Sequence, residues 1–489
     1  MNNLYKINKD DNVAIALKPL KKGYSEQGIT LLDDVPFGYK VLLCDLKAGD
    51  NVIKYSNPIG HMVCDTPAGS HVHQHNMKTN LADKFDYTYS GPCDYKLGEC
   101  SITFDGYVRD NGEVGTRNEV WIISTVGCVN NTVRLLEQIG QRKDYPGVDG
   151  VYGYTHLYGC SQMGDDQENT RKIIASLVNH PNAGGVLLVS LGCENTNVEV
   201  IKKYLGKYDE NRVKFLVTQD CADELEEGEK LLSELCEYAG RAKRSPVPLN
   251  KLKVGFKCGG SDAFSGITAN ALCGKITDRL TAQGAGVILT EVPEMFGAEH
   301  LLMARSADRK TFDKIVAMIN GYKKYFADHD QVCYENPSPG NHDGGLTTLE
   351  EKSLGCIQKG GKSVVTDVLD YGEKCESAGL NLLTGPGNDI VSTTNLTAAG
   401  AQLIIFTTGR GTPLGAPVPT IKVSSNNGLY EKKPGWIDFN AGDMINGADA
   451  EILTDKFMEL IISTASGKKA KNEINSYREI SIFKDGVIM

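Results

Sequence analysis

The sequence predicts an α/β protein: a small N-terminal β domain followed by α/β domains with mainly parallel sheets. Three observations carry this. Short apolar runs cut by turn signals fill residues 1–80. Beyond them, nearly all-aliphatic runs such as Gly185 to Leu191 alternate with stretches of helical spacing. A continuous apolar run followed by a helix is what a parallel sheet covered on both faces requires. Many of these runs end in a polar, glycine-bearing turn, and 53 glycines exceed what an ordinary chain carries. At 489 residues the chain is long enough for two or three domains.

Composition narrows the function classes. A formal charge of -10 and the lack of any basic run or arginine-aromatic interleaving argue against nucleic acid as a partner. The N-terminus MNNLYKINKDD has no apolar leader core and no long apolar stretch follows, so a membrane partner is not expected. Fourteen cysteines, scattered from Cys44 to Cys375 without a CxxC pair, fit reduced thiols in a cytoplasmic location rather than a disulfide framework. Self-association as a homo-oligomer stays open.

In the N-terminal β domain the strands are expected at Val13 to Leu17, Ile29 to Leu32, Lys40 to Leu46 and Val52 to Tyr55. Its last turn, AGSHVHQHN, brings out His71, His73 and His75 on alternate residues. In an extended segment that spacing puts all three imidazoles on one face, where they can share a divalent ion. A solvated edge that happens to use histidine is the plain alternative. Residues 81–104 read as a linker, polar and without sustained period.

An α/β domain is expected over 105–245. The strand Ile102 to Val108 runs into a tight turn at Asn111-Gly112, flanked by Arg109 and Arg117. Arginine can grip a carboxylate through two parallel hydrogen bonds, although a surface ion pair is the commoner use. The next strands, Val120 to Val126, Val151 to Tyr154, Gly185 to Leu191 and Val213 to Val217, alternate with helices. Three of them end in turns that carry Cys128, Cys160 and Cys193 to one sheet edge. Thiols gathered there suit iron or an iron–sulfur cluster, and equally suit small residues packed under tight turns.

The C-terminal α/β domain, 250–489, opens on a strand at Leu252 to Phe256 and the loop CGGSDAFSGITAN, Cys258 to Asn270. At the C-terminal end of a strand such a loop aims backbone N–H groups and short hydroxyls into a ligand crevice. Glu291, Glu294, Glu299 and His300 crowd the turn after the strand Val287 to Leu289, as a general acid and base or a hard metal site would need. NPSPGNHDGG is too rich in glycine and proline for regular structure. The strand Ala401 to Phe406 ends in TTGRGTP, which frees Arg410 to meet an anion, and Lys422 sits inside an apolar run. No segment matches GxxxxGK[ST] or GxGxxG, which disfavours a nucleotide site.

Taken together, HVHQHN (71–76), GEVGTRNE (112–119), TVGCVN (125–130), YGCSQMGDD (158–166), LGCEN (191–195), CGGSDAFSGITAN, TEVPEMFGAEHLLM (290–303), YENPSPGN (334–341), KSLGCIQKGG (352–361), TTGRGTP (407–413) and REISIFKDGV closely resemble the altronate dehydratase family. That family includes galactarate dehydratase and lyases of other acidic substrates. This chain departs from its pattern at Ala271, where a proline is usual, and at His342-Asp343, where Lys-Ala is usual. The resemblance implies a SAF-like N-terminal domain and dependence on Fe(II), replaceable by Mn(II). It also implies a small-molecule sugar acid as substrate, with loss of water from D-altronate to form 2-dehydro-3-deoxy-D-gluconate.

For that chemistry the residues divide as follows. His71, His73 and His75 are expected to hold the metal, with a cluster on Cys128, Cys160 and Cys193 as the alternative. Arg117, Arg410 and Lys422 are expected to bind the anion. His156 and Glu294 are the leading base and acid, and Asp262 and Ser261 orient substrate hydroxyls. A catalytically silent sugar-acid sensor and a sister dehydratase are the competing readings.

Overall fold

The computed structural model describes residues 2–81, 86–94 and 98–488. The seven residues 82–85 and 95–97, within the expected linker, lie outside the described residues.

The N-terminal domain is antiparallel β. Leu4–Tyr5, Val13–Ala16, Lys40–Leu42 and His71–Val72 form one sheet, and Asn51–Lys54, Asn57–Met62 and Met77–Lys78 another. Its strands are short because turn residues interrupt each apolar run. One side of it closes a small core of its own, Leu4, Ala14, Leu20, Leu31, Val35 and Val41, while Val13, Ile15, Leu42, Val52 and Ile59 pack in one cluster with Val254, Phe256 and Leu272 of the C-terminal domain.

The middle domain is built on a parallel sheet in the order Gly150–Tyr154, Glu119–Ser124, Ala183–Ser190, Val213–Val217. Ala183–Ser190 is buried at every position, as its aliphatic run requires. Helices Asn130–Gln141 and Glu224–Ala239 cover one face through Val133, Leu136, Leu232 and Leu235. The other face carries Gly164–Val178 and Val198–Leu205, whose Ile173, Leu177 and Ile201 share a cluster with Ile288, Leu396 and Ile404 of the next domain. The strand Thr103–Val108 stands apart, antiparallel to Val114–Gly115 and Ser245–Pro248.

The C-terminal sheet is parallel throughout: Val365–Leu369, Gly379–Leu383, Gly286–Leu289, Lys253–Cys258, Leu403–Thr408, Thr420–Ser424, Phe439–Asn440. The strand that leads into the CGGSD loop is therefore central, with its carboxyl end flanked by those of its neighbours. Sequence reading assigned no element to the helix Asp389–Ala398, whose DIVSTTNLTA is poor in helix formers. Burial of Val391 through Ala398 overrides that weak local preference. NPSPGNHDGG, expected to be irregular, contains a short helix at Pro339–Asp343 started by a Ser338–Asn341 capping box. No helix among the described residues is long and apolar enough to cross a membrane.

Candidate active site

Cys258 ends its strand fully buried, and its Sγ lies 3.4 Å from the Sγ of Cys356, the last residue of the helix Leu349–Cys356. Glu294, in the turn after Gly286–Leu289, joins them: its Oε2 is 3.2 Å from Cys258 Sγ and 3.1 Å from Cys356 Sγ. Among the described residues these three form the group whose ligand atoms all lie within 4.8 Å of one another. Two thiolates bound tetrahedrally at ~2.3 Å from one ion stand ~3.8 Å apart, so the 3.4 Å separation needs only a small opening to admit one.

Charge is concentrated around this group. Lys352 Nζ is 2.8 Å from Glu294 Oε1 and also donates to Asn336 and Asn341. Lys257 Nζ pairs with Glu291 and lies 2.9 Å from Asp389 Oδ1, and Lys359 Nζ is 3.3 Å from Glu291 Oε2. Burial works against the charge of Glu294, but Lys352, Lys257 and Lys359 hold its carboxyl well below the usual range. Cys356 is pushed up by its hydrogen bond to Cys258 and by burial. Above the group opens a cavity of about 450 Å³ lined by Cys258, Glu294, Asn341, Lys352, Asp389 and Arg410. Its size and mixed polar lining suit a small polar ligand.

The helix bearing Lys352 and Cys356 is set in place by the N-terminal domain. Lys40 and Lys54, both buried, converge on Glu351 at 2.8 and 2.7 Å. Glu350 accepts from Thr79 Oγ1 at 2.8 Å and from the Asn80 amide, and Thr348 Oγ1 donates to Ile59 O.

The residues singled out from sequence fall in different places. Glu294 and Arg410 meet at the cavity, where Arg410 is exposed and spends one bond on Gly340 O, at 3.1 Å. Asp262 is buried next to it, but its carboxylate accepts from Ser265, Ser425 and Asn426 and so ties the loop to the strand-end turn at 425–426. The carbonyl of Ser261 accepts from Asn341 Nδ2. His156 lies in the middle domain, with Nε2 2.8 Å from Ser124 O and Nδ1 accepting from the Tyr158 amide. Burial pushes it down to about 4. Arg117 is 2% exposed and forks onto Glu473, with carbonyls taking its other donors. Lys422 donates to Pro413 O, and burial pushes it down to about 8.

The expected face of three histidines is broken, because the strand ends at Val72 and the chain turns through 73–76. The rings still gather, 6.0 Å between His71 and His73 and 5.4 Å between His71 and His75, but His73 Nε2 is 3.1 Å from His342 O. Cys128, Cys160 and Cys193 reach one sheet edge as expected and, among the described residues, form no comparable group; Cys128 and Cys193 are exposed. Lys352 and Cys356 stand inside the motif KSLGCIQKGG but take no role of their own from sequence, and Asp389 carries no sequence signal.

A parallel-sheet domain whose central strand end opens into a polar cavity over two thiols and a carboxylate is built as an enzyme, not as a scaffold. Three family models divide the chain: the altronate/galactarate dehydratase SAF domain over residues 2–80, the second domain of D-galactarate dehydratase/altronate hydrolase over 106–240, and the D-galactarate/altronate dehydratase C-terminal domain over 249–488. The chain is 49% identical to an altronate dehydratase of Bacillus subtilis, with all of both chains covered, and 48% identical to that of Escherichia coli over 99% of each. It is 34% identical to the galactarate dehydratase (L-threo-forming) of Escherichia coli, over 95% of this chain and 93% of that one. The chain belongs to the altronate/galactarate dehydratase family.

Proposed function

We propose that this chain dehydrates D-altronate to 2-dehydro-3-deoxy-D-gluconate and water, with the reaction housed in the cavity over Cys258, Glu294 and Cys356. The observation that carries this reading is the convergence there of a cation-binding group, a paired ammonium and an open guanidinium, in a chain of full-length likeness to two altronate dehydratases. The proton to be removed sits beside a carboxylate and is a very weak acid, so the site must stabilise charge as it develops.

Cys258, Glu294 and Cys356 would hold the metal, and two soft thiolates favour Fe(II) over Mn(II). When bound, such an ion supplies Lewis-acid polarisation of the substrate's carboxylate and adjacent hydroxyl. Arg410 anchors the carboxylate at the mouth of the cavity. Lys352 keeps Glu294 ionised and offers hydrogen bonds to substrate oxygens, while Asp262 and Asn341 hold the loops that carry these groups. His71, with its Nε2 buried and unpartnered among the described residues, keeps the histidine cluster as a second candidate for metal. Fourteen cysteines without a CxxC pair fit a reducing cytoplasm.

The deciding experiment is anaerobic turnover by chelator-stripped protein with and without Fe(II), offered D-altronate or galactarate. Iron-dependent product from altronate alone is expected. Product from galactarate alone transfers the reading to the sister reaction, and turnover of neither sinks it.

A further inference from the structure

We propose that Asp389 is a catalytic residue of this cavity, the base that takes the proton from the carbon beside the substrate's carboxylate. The inference rests on the dehydratase reading and names the proton acceptor within it. Two carboxylates line the cavity, and only one has an oxygen to spare. Glu294 gives Oε1 to Lys352 and Oε2 to the two thiols. Asp389 gives Oδ1 to Lys257 at 2.9 Å, and its Oδ2 accepts no hydrogen bond from any described residue. The Asp389 side chain is 37% exposed, whereas Lys257 is fully buried. Lys257 is itself pinned by Glu291, by Cys258 O at 2.7 Å and by Gly387 O at 3.1 Å. One oxygen is thus fixed by a buried ammonium, the other lies beside Gly259 without a hydrogen-bond donor among the described residues, and the half-buried side chain lines the cavity, the arrangement a positioned base requires.

The ordinary account of an aspartate at a helix start is that it caps the helix or suits its dipole. Here Asn388 already caps, with its side chain accepting from the Val391 amide. A second observation points the same way. A Cβ at Gly259 would lie 2.6 Å from Asp389 Oδ2 and 2.8 Å from the Phe406 ring. The first glycine of the CGGSD loop therefore clears the space that the Asp389 carboxylate occupies.

In the proposed step the Asp389 carboxylate takes the C2 proton, and the C–H electron pair becomes the C2–C3 double bond as the C3–O bond breaks. The hydroxide leaves with a proton from solvent, as water. The enol then gives its hydroxyl proton to solvent while protonated Asp389 returns a proton to C3, which yields the 2-keto product and restores the carboxylate.

The test compares wild type, Asp389→Asn and Gly259→Ala, each loaded with Fe(II), by kcat and KM on D-altronate, iron content and thermal melting. Asp389→Asn is expected to lose about 10³-fold in kcat, within the usual range for a general base, with iron content and KM held to within about twofold. Gly259→Ala, which displaces the same carboxylate, is expected to lose kcat in the same direction. Asp389→Asn retaining kcat to within about tenfold overturns the assignment, as does a loss of turnover that tracks a loss of iron. A wild type that turns over neither sugar acid brings down the dehydratase reading and this one with it, whereas an active wild type beside an active Asp389→Asn brings down this one alone.

Discussion

Two sheet edges in this molecule start from the same local design and end differently. In the middle domain the strand ends carry Cys128, Cys160 and Cys193 in glycine-bearing turns, and in the C-terminal domain one carries Cys258. At the middle edge the acid is Glu194, which is buried but spent on Thr125, Ser190 and the Gly192 amide, so it ties loops together. The thiols there meet neutral side chains, Cys160 with Asn195 at 3.5 Å and Ser161 at 3.7 Å, and Cys193 with Gln219 at 3.6 Å. At the C-terminal edge the helix Leu349–Cys356 lies across the strand ends and brings a second thiol from 98 residues away, together with Lys352. A cysteine beside a glycine at a strand end becomes a site when another element covers it with ligands and opposite charge. That covering is sealed by the N-terminal domain through Lys40, Lys54 and Glu351.

The comparison predicts a hierarchy of effects. The largest belongs to Cys356→Ser, which should lower turnover and bound iron by more than about 100-fold, as loss of a ligand exceeds loss of an outer partner. Anaerobic assay and metal analysis read both, and an iron-replete, fully active Cys356→Ser would erase the distinction between the edges.

Next is Glu351→Gln, which leaves Lys40 and Lys54 buried against a neutral amide. Removing one partner of a buried charge network costs about 3–5 kcal/mol, to be measured by chemical denaturation. The same residue gives a pH dependence. Burial would raise its carboxyl, but Lys40 and Lys54 hold it down to about 2. A depressed carboxyl contributes stability that is fully present above its unfolded value of 4.5 and is lost as pH falls toward 2. Denaturation midpoints across that window should fall for the wild type and be flatter for Glu351→Gln.

Arg410→Gln should raise KM for altronate by about tenfold, the loss of one charge-assisted contact, with melting temperature unchanged because its side chain is exposed. An unaltered KM would move the carboxylate anchor elsewhere in the cavity. Smallest of all, Cys193→Ser at the exposed middle edge should shift stability by less than about 0.5 kcal/mol and leave turnover intact. A large loss there would restore the cluster on Cys128, Cys160 and Cys193.

Much of the fold was legible along the chain. Val213–Val217 is a strand at the expected residues, and the aliphatic run at 185–191 is the fully buried strand Ala183–Ser190. Local period and turn chemistry set such elements before any tertiary contact exists. The helix Asp389–Ala398 was not legible, because its serines and threonines are held helical by burial that no window of sequence shows. The same holds for Arg117 and Lys422, which look like free cations in the chain and are committed in the fold to Glu473 and Pro413 O.

The sequence by itself determined the alternation of strand and helix, the position of the polar loops at strand ends and the family likeness, since each resides in residues close together in the chain. Only the tertiary structure decided which of those loops converge. The group Cys258, Glu294 and Cys356 draws on a strand end, a turn and a helix, and Asp389 reaches its cavity from the start of another helix. Their approach is fixed by the packing of one parallel sheet and by three buried charges at the seam with the N-terminal domain, a balance of long-range contacts that no local pattern encodes.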